Sequence, residues 1–172
     1  MLGAVSKFVN RELPQLAPAL LRQCFAHARA EFPKEACGLL SGPIGQPSSL
    51  RVCENDQDRL HAHDPLEFPS DGRTAFRLRF GDVCWLLESL RSQEPVQVVF
   101  LSHIDVGADF SADDRRAALS DGQPTYPVDH LIVDVCASGV RGAKLFRFSS
   151  SAGAGDFKLV AEYDEEGLRA AR

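Results

Sequence analysis

Apolar residues recur along this chain with two different periods, and the change from one to the other marks out its elements. Over residues 17–32, Leu20, Leu21, Cys24, Phe25 and Ala28 share one face at helical spacing, with Pro18 suited to a first turn and Pro33 to a stop. The run EACGLLSG that follows predicts a short buried strand. A turn-rich stretch (Pro43, Gly45, Pro47) leads to a second strand near Leu50–Cys53. Residues 55–73 are polar and rich in Asp and Pro, which predicts an ordered loop or insertion. Helical spacing returns over 82–93 with Val83, Leu86, Leu87 and Leu90.

The strongest strand is PVQVVFLSH, an apolar run of β-branched and aromatic residues ending in a polar pair. Residues 111–119 predict a short helix, DHLIVDVCA another central strand, and AKLFRFS its neighbour. Alternation of helix and strand gives an α/β or α+β sandwich, a central mixed β-sheet flanked by helices, with chemistry expected where strand ends meet loops. One domain is expected over 1–150. Residues 151–172 are expected to form a flexible segment with an edge strand at 157–163 and a charged tail.

Composition narrows the function classes. At 172 residues, 44% apolar and 25% charged, the chain supports one well-buried core. Its five cysteines include no C-x-x-C pair, which fits reduced thiols in a cytoplasmic protein. The N-terminus has neither a signal-like apolar core nor a membrane-spanning length. A formal charge of −5 without a Lys/Arg cluster argues against nucleic acid and anionic membrane as partners, and favours protein or peptide.

Three pieces carry the candidate chemistry. Residues two apart on a strand project to one face, so positions 101 and 103 address one point, but only His103 offers a ligand; its neighbour is Leu101. Ser111-x-x-Asp114 opens the next helix and reads equally as a capping box. Glu35 stands between the first helix and strand, and singly could be an ordinary exposed carboxylate.

Taken together, Glu35 in FPKEACGLLSG, then His103, seven residues, Ser111, two residues and Asp114 resemble the JAMM signature of the MPN metallopeptidase family, over roughly residues 15–148. The resemblance implies the MPN/JAMM (cytidine-deaminase-like) fold. It also implies a zinc ion held by two histidines and the aspartate, with Glu35 as general base and acid and Ser111 as oxyanion donor. Carried over by position, the metal ligands are His103 and Asp114, and the first motif histidine is replaced by Leu101. Losing one donor costs on the order of 3 kcal/mol of zinc binding, about a hundredfold in affinity, so zinc is expected to be weak or absent and isopeptidase activity impaired or lost.

Asp113, or His61 and His63 at ligand-like spacing, are candidate substitutes, while His27 and His130 are expected to be structural. The resemblance further implies a partner with a glycine-ended C-terminal tail, either a ubiquitin-like protein or a sulfur carrier, held between residues 55–73 and 104–110. It also implies homo- or heterodimers with MPN or pathway proteins. Two readings stay open: a non-catalytic module that binds such a partner, and an active or deliberately inactivated zinc isopeptidase cleaving after the terminal glycine.

Overall fold

The computed structural model describes residues 12–150 and 155–169. Its elements, in chain order, are α1 (Pro18–Glu31), β1 (Cys37–Ser41), β2 (Ser49–Cys53), α2 (Gln57–His63), α3 (Phe80–Ser89), β3 (Val96–Ile104), α4 (Ala112–Ala118), β4 (Leu119–Ser120), β5 (Gln123–Pro124), β6 (Asp129–Cys136), β7 (Gly139–Ser149) and β8 (Asp156–Tyr163). Six strands form one sheet in the order β2-β1-β3-β6-β7-β8, with β4 and β5 pairing separately. Only β3 and β6 run parallel, and α4 lies in the crossover between them; the remaining pairs are antiparallel.

Alternation along β3 sorts the core. Val98 and Phe100 pack with α1 through Leu20, Leu21, Cys24 and Phe25. Val99 joins Leu86 of α3 on the other face, and Leu101 joins Phe110, Ala118 and Ile132. Eight of the nine β3 residues are buried, which is why the strand is mostly apolar, and its buried Gln97 donates to the Gly42 and Pro43 carbonyls. All five cysteines are free thiols.

Two expectations need correction, and one hairpin adds to them. Residues 55–73 are not all loop, because Gln57–His63 form α2. Apart from Leu60 and Ala62 that helix is charged or polar, so it carries no apolar stripe to read. Its start is secured instead by Asn55, whose Oδ1 accepts from the Gln57 N–H at 3.0 Å. The second long helix begins and ends earlier than 82–93. It stops at Ser89, whose hydroxyl donates to the Leu86 carbonyl and accepts from the Val96 N–H, turning the chain into β3. The β4–β5 hairpin went unread, although Asp121 and Gly122, both at positive φ, are the turn signal for it.

At the C-terminal end β8 adds to β7 as the outermost strand. The start of the expected flexible segment, 151–154, and the last tail residues, 170–172, lie outside the described residues. No helix among the described residues is long and apolar enough to cross a membrane.

Candidate functional site

The parallel pair β3 and β6 delivers the site. Where β3 ends, His103 is buried on the same face as Leu101, and the loop to α4 folds back over it. Its Nδ1 lies 3.2 Å from the Gly107 carbonyl and its Nε2 lies 3.1 Å from Asp114 Oδ2. Both ring nitrogens therefore face acceptors, an arrangement satisfied when both carry protons. Burial works against that charge. The Asp114 hydrogen bond and charge, with the charge of Glu35, outweigh it and raise the His103 pKa above the usual histidine value.

Asp114 is held from two sides. Its Oδ2 accepts from the Ser111 N–H at 2.8 Å while the Ser111 hydroxyl accepts from the Asp114 N–H at 3.0 Å, a complete capping box at the start of α4. Burial would lift the Asp114 carboxyl, but the bonds from His103 and Ser111 prevail and lower it. The helix cap and the aspartate of the sequence motif are thus one side chain.

Glu35 is not the exposed carboxylate that a helix-to-strand junction would suggest, since it is only 5% exposed. Burial, reinforced by the negative charge of Asp114 and partly relieved by His103, pushes its pKa up to about 7. Its backbone is pinned on both sides. The Glu35 N–H donates to the Gly72 carbonyl at 2.7 Å, and its carbonyl accepts from Asn55 Nδ2 at 3.0 Å. The next residue is tied to β3, with the Ala36 N–H on the Ser102 hydroxyl at 2.8 Å and the Ser102 N–H on the Ala36 carbonyl at 3.0 Å. Neither Asn55 nor the tethering role of Ser102 was foreseen, because a single Asn in a polar stretch carries no pattern.

Glu35, His103, Ser111 and Asp114 line one groove of about 600 Å³, walled by residues 67–70 and 73–77 on one side and by Ile104 and Val106 on the other. Leu101 is not in it. Its side chain is 0% exposed, sits among Ala108, Phe110, Ala118, Ile132, Phe146 and Phe157, and lines a smaller inner chamber together with Asp114 and His130.

The other candidates do not converge on the site. His61 Nδ1 lies 2.6 Å from the Phe68 carbonyl of its own loop, His63 is exposed at the end of α2, and neither lines the groove. Asp113 lines the groove but is exposed and paired with Arg116 at 3.0 Å. His27 Nε2 lies 3.2 Å from the Cys37 carbonyl behind the sheet.

Zinc of the expected kind does not fit this donor set. A catalytic zinc takes three protein ligands, its histidines neutral with a free lone pair. Here the two candidate donors bond each other, the ring nitrogens of His103 are both engaged, and position 101 supplies hydrocarbon. The orphaned Nδ1 of His130 does not complete the set. His130 pairs with Val99 in the β3–β6 register, four residues back from His103, and among the described residues no three His, Cys, Asp or Glu side chains are grouped to hold a metal ion.

Comparison with known proteins agrees with this architecture. Two solution structures, of a protein from Salinibacter ruber and of protein DSY2949 from Desulfitobacterium hafniense, share the fold at TM-scores of 0.53 and 0.51. Each is 21% identical to this chain; they cover 83% and 80% of it and 86% and 84% of their own lengths. Proteins named CysO-cysteine peptidase from Mycobacterium tuberculosis and Mycobacterium bovis are 30% identical over 115 residues, 66% of this chain and 67% of theirs. The family model described as prokaryotic homologs of the JAB domain matches residues 17–148, and the chain belongs to that family.

Proposed function

We propose that this protein is a JAB-domain module that holds the extended C-terminal tail of a small carrier protein, ubiquitin-like or sulfur-carrying, and has lost or largely lost the zinc-dependent hydrolysis associated with the fold. The observation that carries this reading is the His103–Asp114 hydrogen bond beside a fully buried Leu101. Leu101 stands where the JAMM pattern has its first histidine, and the two remaining donors satisfy each other. The groove itself is intact, open and walled by the segments a tail would lie against. That the mycobacterial relatives are named for a CysO–cysteine substrate supports a carrier-protein partner for this chain as well.

A second reading, a working isopeptidase, is favoured by Glu35. A buried carboxyl with a pKa of about 7 is poised to exchange protons near neutrality, as a general base and acid must. In that case Glu35 moves the proton, Ser111 steadies the oxyanion, and His103 and Asp114 hold the metal only after giving up their mutual bond.

The experiment is a titration of the purified protein with a ubiquitin-fold carrier ending in Gly-Gly, followed by amide NMR, beside a cleavage assay on the same carrier bearing one C-terminal amino acid. The expected result is saturable binding with shifts confined to residues around the groove, and no cleavage with or without added zinc. Zinc-dependent cleavage by the unmodified chain would install the second reading, and absence of binding would remove the first.

A further inference from the structure

The inner chamber behind the groove has a volume of about 100 Å³ and shares Phe76, Arg77, Asp114 and Ala117 with it, so the two compartments adjoin. Its walls are largely apolar, with Val83, Val99 and Leu101 among them. One wall is the buried ring of His130, whose Nδ1 has no hydrogen-bond partner. With a water molecule occupying about 30 Å³ of liquid, the chamber has room for roughly three waters or one branched aliphatic side chain.

Arg77 stands where the compartments meet, and its guanidinium is uncommitted. Arg79 pairs with Glu54, Arg115 with Asp156 and Arg116 with Asp113; Arg73 pairs with no carboxylate among the described residues either, but it lines the groove and not the chamber. Arg77 bonds no carboxylate or carbonyl among the described residues, and its Cζ lies 5.7 Å from the centroid of the Phe68 ring. Its backbone is fixed at both ends of the residue, the N–H donating to Asn55 Oδ1 at 3.0 Å and the carbonyl accepting from the Asp56 N–H at 2.9 Å. A planar guanidinium held on a fixed backbone is suited to bidentate capture of a carboxylate.

A ligand that offers a carboxylate and an aliphatic group on one carbon atom is the last residue of a peptide. We infer that Arg77 and the chamber form a subsite for a chain-terminal residue, with its α-carboxylate on Arg77 and its aliphatic side chain among the partly exposed Leu78, Val83 and Tyr126. The inference deepens the tail-binding reading of the groove and rests on it. The occupant is a tail that ends in one free amino acid beyond the segment held in the groove. Asp114, at the mouth of the chamber, disfavours an acidic side chain there.

Calorimetry with the full chain tests this with the tripeptides Gly-Gly-Leu as free acid, Gly-Gly-Leu as C-terminal amide, and Gly-Gly-Asp as free acid. The free acid of Gly-Gly-Leu is expected to bind at least about tenfold more tightly than its amide, a difference of about 1.4 kcal/mol, and more tightly than Gly-Gly-Asp. In Arg77→Gln the acid falls to the level of the amide while the amide is unchanged, and Val83→Phe, which fills the chamber, weakens both leucine peptides. Equal binding of acid and amide, a gap that survives Arg77→Gln, or no binding of any tripeptide overturns the inference. Carrier binding without an acid–amide gap removes the subsite and leaves the tail-binding reading standing; the gap without carrier binding does the reverse.

Discussion

Glu35 in the groove and His130 in the chamber are both almost wholly buried, and burial displaces their pKa values in opposite senses, to about 7 and about 4. The unfolded chain releases the Glu35 proton near 4.5 while the folded chain keeps it to about 7, so this contribution to stability is present below 4.5 and lost as pH rises. For His130 the unfolded chain takes up a proton below 6.5 and the folded chain refuses it until about 4, so stability is lost as pH falls. Each effect amounts to at most about 3.5 kcal/mol over the full shift. The raised pKa of His103 acts above 6.5 and the lowered pKa of Asp114 acts below 3.8, so neither changes between pH 4.5 and 6.5. Across that window the two buried groups should cancel in the unmodified protein. In Glu35→Gln stability should rise with pH, and in His130→Phe it should fall. Urea unfolding at pH 4.5, 5.5 and 6.5 measures both slopes; a flat profile in Glu35→Gln would show that burial does not displace the pKa of His130, and a flat profile in His130→Phe that it does not displace that of Glu35. At this scale the sequence motif led to Glu35, His103, Ser111 and Asp114 because they sit at fixed spacings. It could not lead to His130 as a neighbour of Asp114, since that proximity arises only when β6 lies beside β3.

Elements differ in how much of them was legible, and the difference follows what stabilises each. The strand β3 is buried on both faces and α1 on one stripe, so their apolar patterns announced them. The helix α2 and the segment up to Arg77 rest instead on hydrogen bonds to single polar residues, above all Asn55. Its Nδ2 serves the Glu35 and Ala75 carbonyls and its Oδ1 receives the Gln57 and Arg77 N–H groups. Replacing it by alanine should cost about 2–3 kcal/mol, at roughly 1 kcal/mol for each net hydrogen bond with water recovering part of the loss. The cost should be local, read as faster amide exchange across 55–77 with the β3 and β6 amides unchanged; uniform acceleration would mean that the segment unfolds only with the whole domain. The start of α4 offers a parallel case. Ser111→Ala removes the cap and should destabilise by about 1 kcal/mol in thermal unfolding. If the loss is negligible, the Asp114 bonds to the Ser111 N–H and to His103 suffice to hold that turn.

On the scale of the whole molecule, the question is whether folding leans on a metal. Three apolar clusters cover both faces of the six-stranded sheet, and Leu101 lies within the third, where the JAMM pattern would have a ligand facing an ion. The hydrocarbon at 101 therefore serves the same core that supports the site, and on the proposed reading a domain stabilised this way should fold without metal. Zinc supplied at or below its dissociation constant adds at most about 0.4 kcal/mol through binding to the native state. For a chain of this size that is a shift of about 1 °C. The unmodified protein should accordingly show the same melting temperature in chelator as in equimolar zinc. Leu101→His should behave differently in both conditions. Without metal it places an imidazole among Phe110, Ile132 and Phe157 and vacates hydrocarbon volume, costing about 2–4 kcal/mol and lowering the melting temperature. With zinc it gains a third donor beside His103 and Asp114, and binding restores part of that loss. A variant destabilised equally with and without zinc would mean that the mutual bond of His103 and Asp114 is too strong for the metal to displace. The chain would then be committed to binding at the level of those two residues, independently of position 101.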